Sequence, residues 1–144
     1  MTQFHRVTPD FAVTAQLQPA DFARAAAEGF KTVISNRTEG EEPGQPTEAQ
    51  VRAAAEAAGL VFRSVPFKGA PPPGVVSATA ELLGQVQGPV LAYCRSGRRS
   101  IMAWAMAQAL VGARRPDEII ALAAKAGYDL EGARGALETL APKA

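Results

Sequence analysis

The segment PVLAY, Pro89 to Tyr93, is apolar at every position, and a second apolar run, Ile101 to Val111, follows it after one short basic loop. A strand with no polar side must be covered on both faces, which places it inside a sheet. A helix apolar nearly all round must be buried as well. Burying a strand and a helix in immediate succession confines the chain to layered architectures with the sheet in the middle.

The rest of the sequence alternates in the same way. Phe4 to Val7 and Phe11 to Thr14 are short β-like runs around a Thr-Pro-Asp turn and predict a hairpin. Pro19 opens a helix at the position where its missing N–H is harmless, and that helix ends near Gly29. Thr32-Val33-Ile34 is a β-branched strand core. Thr47 and Gln50 have capping-box spacing and start a helix that runs to Gly59. Val61 to Phe67 predicts a strand, and KGAPPPG after it must be loop. Val75 to Val86 predicts a helix, and two more close the chain, one opened by Pro116 and one after Asp129.

The expected fold is therefore α/β, a three-layer α/β/α sandwich with a mostly parallel central sheet of four to five strands. A length of 144 residues suits a single domain, 1–144. Ligands of such sheets bind beyond the carboxyl ends of the strands. Three loops are expected on that edge: Asn36–Pro46, Lys68–Gly74 and Cys94–Arg99. Trp104, Met102 and Met106 are expected in the core, His5 on a strand, Arg37 near the mouth of the pocket, and Arg114 and Arg115 on the surface.

Several function classes fall away. A net charge of +1 gives no broad basic field, so neither nucleic acid nor an anionic membrane is an expected partner. The start, MTQFHRVTPD, lacks a secretory apolar core, and the apolar run from Ile101 is too short for a bilayer, which needs about 20 residues. A single cysteine excludes an internal disulfide and fits a reducing, cytoplasmic setting. One cysteine and one histidine are too few soft ligands for a structural zinc or iron–sulfur site, which leaves carboxylate-bound metals open.

That one cysteine stands where the buried strand meets the buried helix, in Cys94-Arg95-Ser96-Gly97-Arg98-Arg99-Ser100. A cysteine at a strand end is ordinarily a small buried hydrophobe. Three arginines at a buried helix start, however, repel one another and oppose the helix dipole unless an anion sits among them. Gly97 lets the backbone turn so that successive N–H groups of residues Arg95 to Arg99 converge as an anion nest. The same field favours a thiolate over a thiol. Arg99 can bridge two oxygens of an oxyanion, and Ser100 can donate to the sulfur or to a leaving thiolate. Arg95, Ser96, Gly97 and Arg98 complete the oxyanion cradle, and Arg95 and Arg98 have the simpler alternative of being solvated charges.

CRSGRRS resembles the active-site loop shared by cysteine-dependent phosphatases and rhodanese sulfurtransferases. FAVTAQLQPADFARAAAEGFKTVISNR, EEPGQP and PVLAYCRSGRRS together resemble the bacterial phosphatase-like domain called β-lactamase-hydrolase-like. That domain occurs alone or fused to metallo-β-lactamase-type hydrolases, which the resemblance offers as a partner, and it is similar in fold to the dual-specificity and tyrosine phosphatases. The resemblance implies a small oxyanion or phosphorylated substrate, attack by Cys94 to give a phosphocysteine, Arg99 on the equatorial oxygens, and no metal or organic cofactor.

Three departures from the tyrosine-phosphatase pattern stand out. Four residues, Arg95 to Arg98, separate cysteine and arginine instead of five, as in sulfurtransferases that carry a persulfide. Tyr93 replaces the usual histidine. The loop after Phe67 holds no aspartate to protonate a leaving oxygen, and Glu39, Glu41 and Glu42 are the substitutes on the neighbouring loop. Against the sulfurtransferase alternative, the chain lacks the Asp-Val-Arg strand end and the Gly-His-Ile turn of rhodaneses. A third alternative is an oxyanion- or phosphopeptide-binding module with little turnover.

Overall fold

The fold is taken from a computed structural model, which describes residues 2–143. Five strands and six helices alternate along the chain: β1 (His5–Thr8), β2 (Phe11–Thr14), α1 (Pro19–Ala27), β3 (Thr32–Ser35), α2 (Glu48–Ala57), β4 (Val61–Ser64), α3 (Pro73–Gln85), β5 (Val90–Tyr93), α4 (Arg98–Val111), α5 (Pro116–Lys125) and α6 (Arg134–Leu140), with one 3₁₀ turn, Glu131–Ala133, before the last helix. The strands form one sheet in the order β1-β2-β5-β3-β4. β1 runs antiparallel to β2, and every other pairing is parallel.

β5 lies in the middle of the sheet, as its unbroken apolar character requires. The two-residue repeat of a strand sends Val90 and Ala92 to one face and Leu91 and Tyr93 to the other. The first pair joins a core built with α3, α4, α5 and α6, where Trp104 stacks on Phe11 at 5.5 Å between ring centres. The second pair joins Phe22, Ala25, Val51 and Ala55 from α1 and α2. Helices thus cover both faces, and the three-layer α/β/α arrangement with a mostly parallel sheet is present.

Three boundaries differ from the sequence reading, each for a local reason. β4 stops at Ser64 and not at Phe67, because Pro66 has no N–H for the ladder. α3 begins at Pro73, two residues before Val75, since proline is at home in a first turn. α4 begins at Arg98 and not at Ile101, because Gly97 takes a left-handed conformation (φ 93°) and caps it. Met102 and Met106 are only half-buried, whereas Trp104 is buried as expected. No helix among the described residues is long and apolar enough to cross a membrane.

Candidate active site

The carboxyl ends of β3, β4 and β5 lie side by side, and Asn36, itself buried, fastens them. Its N–H donates to the Tyr93 carbonyl at 2.8 Å and its side-chain amide to the Val65 carbonyl at 2.9 Å. Cys94 follows β5 directly and is 1% exposed. The left-handed turn at Gly97 carries the chain back so that the Gly97 N–H donates to the Cys94 sulfur at 3.1 Å. Arg95, Ser96 and Arg98 are exposed around this turn, with the Arg98 guanidinium on the Asp129 carbonyl at 3.3 Å. The Ser100 hydroxyl is buried and has no hydrogen-bond partner among the described residues.

Arg99 leaves the first turn of α4 and meets the other two loops. Its Nη1 donates to Glu41 Oε2 at 2.6 Å and to the Phe67 carbonyl at 2.9 Å, and its Nη2 donates to Glu41 Oε1 at 2.7 Å. A guanidinium has five N–H groups. Three are used, and the two that remain, on Nε and Nη2, point along one shared edge. That edge is the fork a two-oxygen anion contact needs. Glu41 therefore holds one side of Arg99 and leaves the other side available.

Glu41 is itself enclosed. Besides Arg99, it accepts from Arg37 Nε at 2.9 Å and from the Thr38 N–H at 3.0 Å, and the Thr38 hydroxyl adds a further contact. The Arg99 bonds hold its carboxyl far below the ordinary carboxylate range, against the opposing effect of burial and with help from Thr38 and Arg37. Glu41 in turn raises Arg99, and the Cys94 sulfur acts on Arg99 in the same direction. Arg37 is buried, ties the Asn36–Pro46 loop to the segment after β2 through Gln16 Oε1 at 2.9 Å, and within its own loop bonds Glu42 Oε1 at 2.7 Å.

Each of the three carboxylates considered as proton donors has another partner. Glu41 pairs with Arg99 and Arg37. Glu42 pairs with Arg37, which lowers its carboxyl. Glu39 accepts from the Glu48 N–H at 2.7 Å at the start of α2. The loop after Phe67 brings Lys68 and Gly69 instead, and these line a pocket of about 300 Å³ together with Glu41, Arg95 and Arg99.

Tyr128 is a site residue that the sequence reading missed. Its hydroxyl donates to the Ser96 carbonyl at 2.8 Å, and its ring meets the edge of His5 at 5.8 Å. A Cβ on Gly97 would collide with that hydroxyl. Burial pushes the Tyr128 phenol up, and the Cys94 sulfur adds to the effect. Tyr93, in the position of the usual histidine, is buried and raised by desolvation against bonds to Ser35 and Gln16. Nothing in a lone Gly-Tyr-Asp after α5 signals contact with a loop some thirty residues earlier; only the Gly127 helix stop is legible there.

Known proteins match this arrangement. The family model for the beta-lactamase hydrolase-like protein, phosphatase-like domain, matches residues 3–111. A beta-lactamase hydrolase-like protein of Agrobacterium fabrum is 33% identical over 129 residues, covering 87% of this chain and 29% of its own. One from Xylella fastidiosa is 33% identical over 120 residues, covering 83% and 28%. The chain thus spans less than a third of the length of these curated relatives. A solved candidate phosphatase from Neisseria meningitidis is 36% identical and superposes with a TM-score of 0.81, covering 94% of this chain and 96% of that one. PTPMT1, at 19% identity and a TM-score of 0.72 over 96% of this chain and 93% of its own, shares the fold. Sequence and architecture agree, and the chain belongs to the beta-lactamase hydrolase-like family of phosphatase-like domains, built on the cysteine-phosphatase fold.

Proposed function

We propose that the chain hydrolyses phosphomonoesters through a phosphocysteine on Cys94. The observation that carries this reading is Arg99, which Glu41 holds by one edge while the Cys94 sulfur, bonded by the Gly97 N–H, acts on the same guanidinium. Lys68 and Arg95 at the pocket add positive charge for a dianionic phosphoryl group.

In the first step the sulfur attacks phosphorus, an S–P bond forms, and the ester P–O bond breaks with its electron pair on the leaving oxygen. The Arg99 edge and the turn's N–H groups stabilise charge on the phosphoryl oxygens in the transition state. With Glu41 held ionised, the leaving oxygen takes its proton from water, and esters of acidic alcohols or phenols are favoured. In the second step water attacks phosphorus, the S–P bond breaks, and phosphate leaves. Ser100, whose hydroxyl has no partner in the resting site, donates to the departing sulfur.

The four-residue interval between Cys94 and Arg99 keeps one other reading in view, a persulfide-carrying sulfurtransferase. Assay of p-nitrophenyl phosphate beside thiosulfate:cyanide transfer separates the two. Phosphate release that vanishes in Cys94→Ser supports the phosphatase. Sulfur transfer without phosphate release overturns it, and phosphate binding with neither activity leaves a binding module.

A further inference from the structure

We infer that the phosphate ester taken at Cys94 carries an apolar alkyl body, which lies against α4 in a groove adjoining the phosphate pocket. This rests on the phosphomonoesterase reading and names its substrate class.

The groove has a volume of about 410 Å³, and its walls are mostly apolar, with Arg98 and Arg99 the charged residues that line it. Met102 and Met106 form one side, Ala70 and Pro71 of the loop after β4 a second, and Ala133 and Ala136 a third. The methionines are one helical turn apart and so share a face of α4. Their neighbours Ile101, Ala103, Trp104, Ala105 and Ala107 are buried, so between Ile101 and Ala107 this pair is the part of the helix left partly open. Two flexible thioethers can pack against apolar groups of different shape.

The groove does not stand apart from the phosphate pocket. Gly69 and Arg99 line both. A single molecule therefore meets cationic groups at one end, namely Lys68, Arg95 and Arg99, and hydrocarbon beyond them. The acidic member of the pocket, Glu41, is already neutralised by Arg99 and Arg37. This charge arrangement suits an amphiphile with its anion at the turn. A polyol phosphate fits poorly, because Met, Ala and Pro side chains would leave its hydroxyls without partners, and burying an unpaired hydroxyl is unfavourable.

The test measures binding, since simple alkyl phosphates have poor leaving groups. The Cys94→Ser chain, its fold checked by circular dichroism, is titrated calorimetrically with inorganic phosphate and with methyl, butyl, hexyl and octyl phosphate below their micellar concentrations. Affinity is expected to rise by up to about fourfold per added methylene until the groove is filled. In Met102→Gln/Met106→Gln on the same background, the ratio of octyl to inorganic phosphate affinity should fall about tenfold or more. Equal affinity along the series, absence of binding, or a chain-length effect that survives the double substitution would each overturn the proposal. Turnover of p-nitrophenyl phosphate by the native chain is scored separately. Length-dependent binding without turnover keeps the groove as a site for apolar anions and removes only the phosphatase reading; turnover with flat binding does the opposite.

Discussion

Glu41 grips Arg99 with both carboxylate oxygens, at 2.6 and 2.7 Å, across 58 positions of sequence. The pair joins the loop after β3 to the first turn of α4, and the Phe67 carbonyl adds the loop after β4 to the same guanidinium. In the proposed reaction Glu41 is a positioning residue, acting on an oxyanion through the orientation of Arg99.

Two substitutions test that division of roles. Arg99→Lys removes the planar fork and should lower kcat/KM for p-nitrophenyl phosphate by about 10²–10³, the scale of losing one transition-state donor. Glu41→Gln keeps shape and some hydrogen bonding but loosens the fork, and its loss should be smaller, about tenfold, and carried mostly by kcat. Once Arg99 is lysine, adding Glu41→Gln should change little, because residues acting through one another are not additive. Equal, additive losses in steady-state kinetics would contradict the positioning role.

The same carboxylate sets an acid limit on stability. Its ordinary value is 4.5, and in the folded chain it lies far lower. A lowered folded pKa contributes stability that is present above the unfolded value and drains away as pH falls below it. Urea unfolding should therefore show the chain losing stability from about pH 4.5 downward, and Glu41→Gln should flatten that part of the curve. An unchanged slope in the variant would assign the acid sensitivity elsewhere.

Gly97 and Tyr128 should behave as a coupled pair. Gly97→Ala forces a side chain into φ 93°, a strain of about 1–2 kcal/mol, and drives its Cβ against the Tyr128 hydroxyl. Tyr128→Phe alone loses one hydrogen bond, about 1 kcal/mol. Removing the hydroxyl makes room, so the double variant should be more stable than the sum of the singles allows. A double-mutant cycle by thermal or chemical unfolding checks this, and strict additivity would refute the contact.

Ser100 should separate stability from turnover. Its hydroxyl is buried without a partner in the resting chain, a state that costs about 1–3 kcal/mol. Ser100→Ala should leave stability equal or higher, yet slow release of phosphate from the enzyme, seen as a burst of p-nitrophenol followed by a lower steady rate. A destabilised variant with unchanged kinetics would mean the hydroxyl has a partner in the fold after all.

Leaving-group dependence probes the missing proton donor. With Glu41 and Glu42 both lowered by arginines, kcat/KM across substituted phenyl phosphates should fall steeply as the phenol becomes less acidic. A flat profile would require a donor that these two carboxylates do not supply.

The sequence alone determined the layers and where the candidate site lies. The unbroken apolar run at Val90–Tyr93 had to be a covered strand, and a thiol followed by arginines had to sit at the head of a buried helix, because these follow from periodicity and local charge. α4 starts three residues before the Ile101 that opens the apolar run, since the cap depends on the left-handed turn that Gly97 adopts. Met102 and Met106 read as core because periodicity says which side of a helix is apolar, while only the packing of α6 and the loop after β4 decides how much of it is covered. What tertiary structure alone decided are the partnerships: Glu41 with Arg99, Arg37 with Glu42 and Gln16, Tyr128 with Ser96. Each joins groups distant in sequence or turns a flexible polar side chain one way among several, and such choices are made by the convergence of three strand ends, which no local pattern encodes.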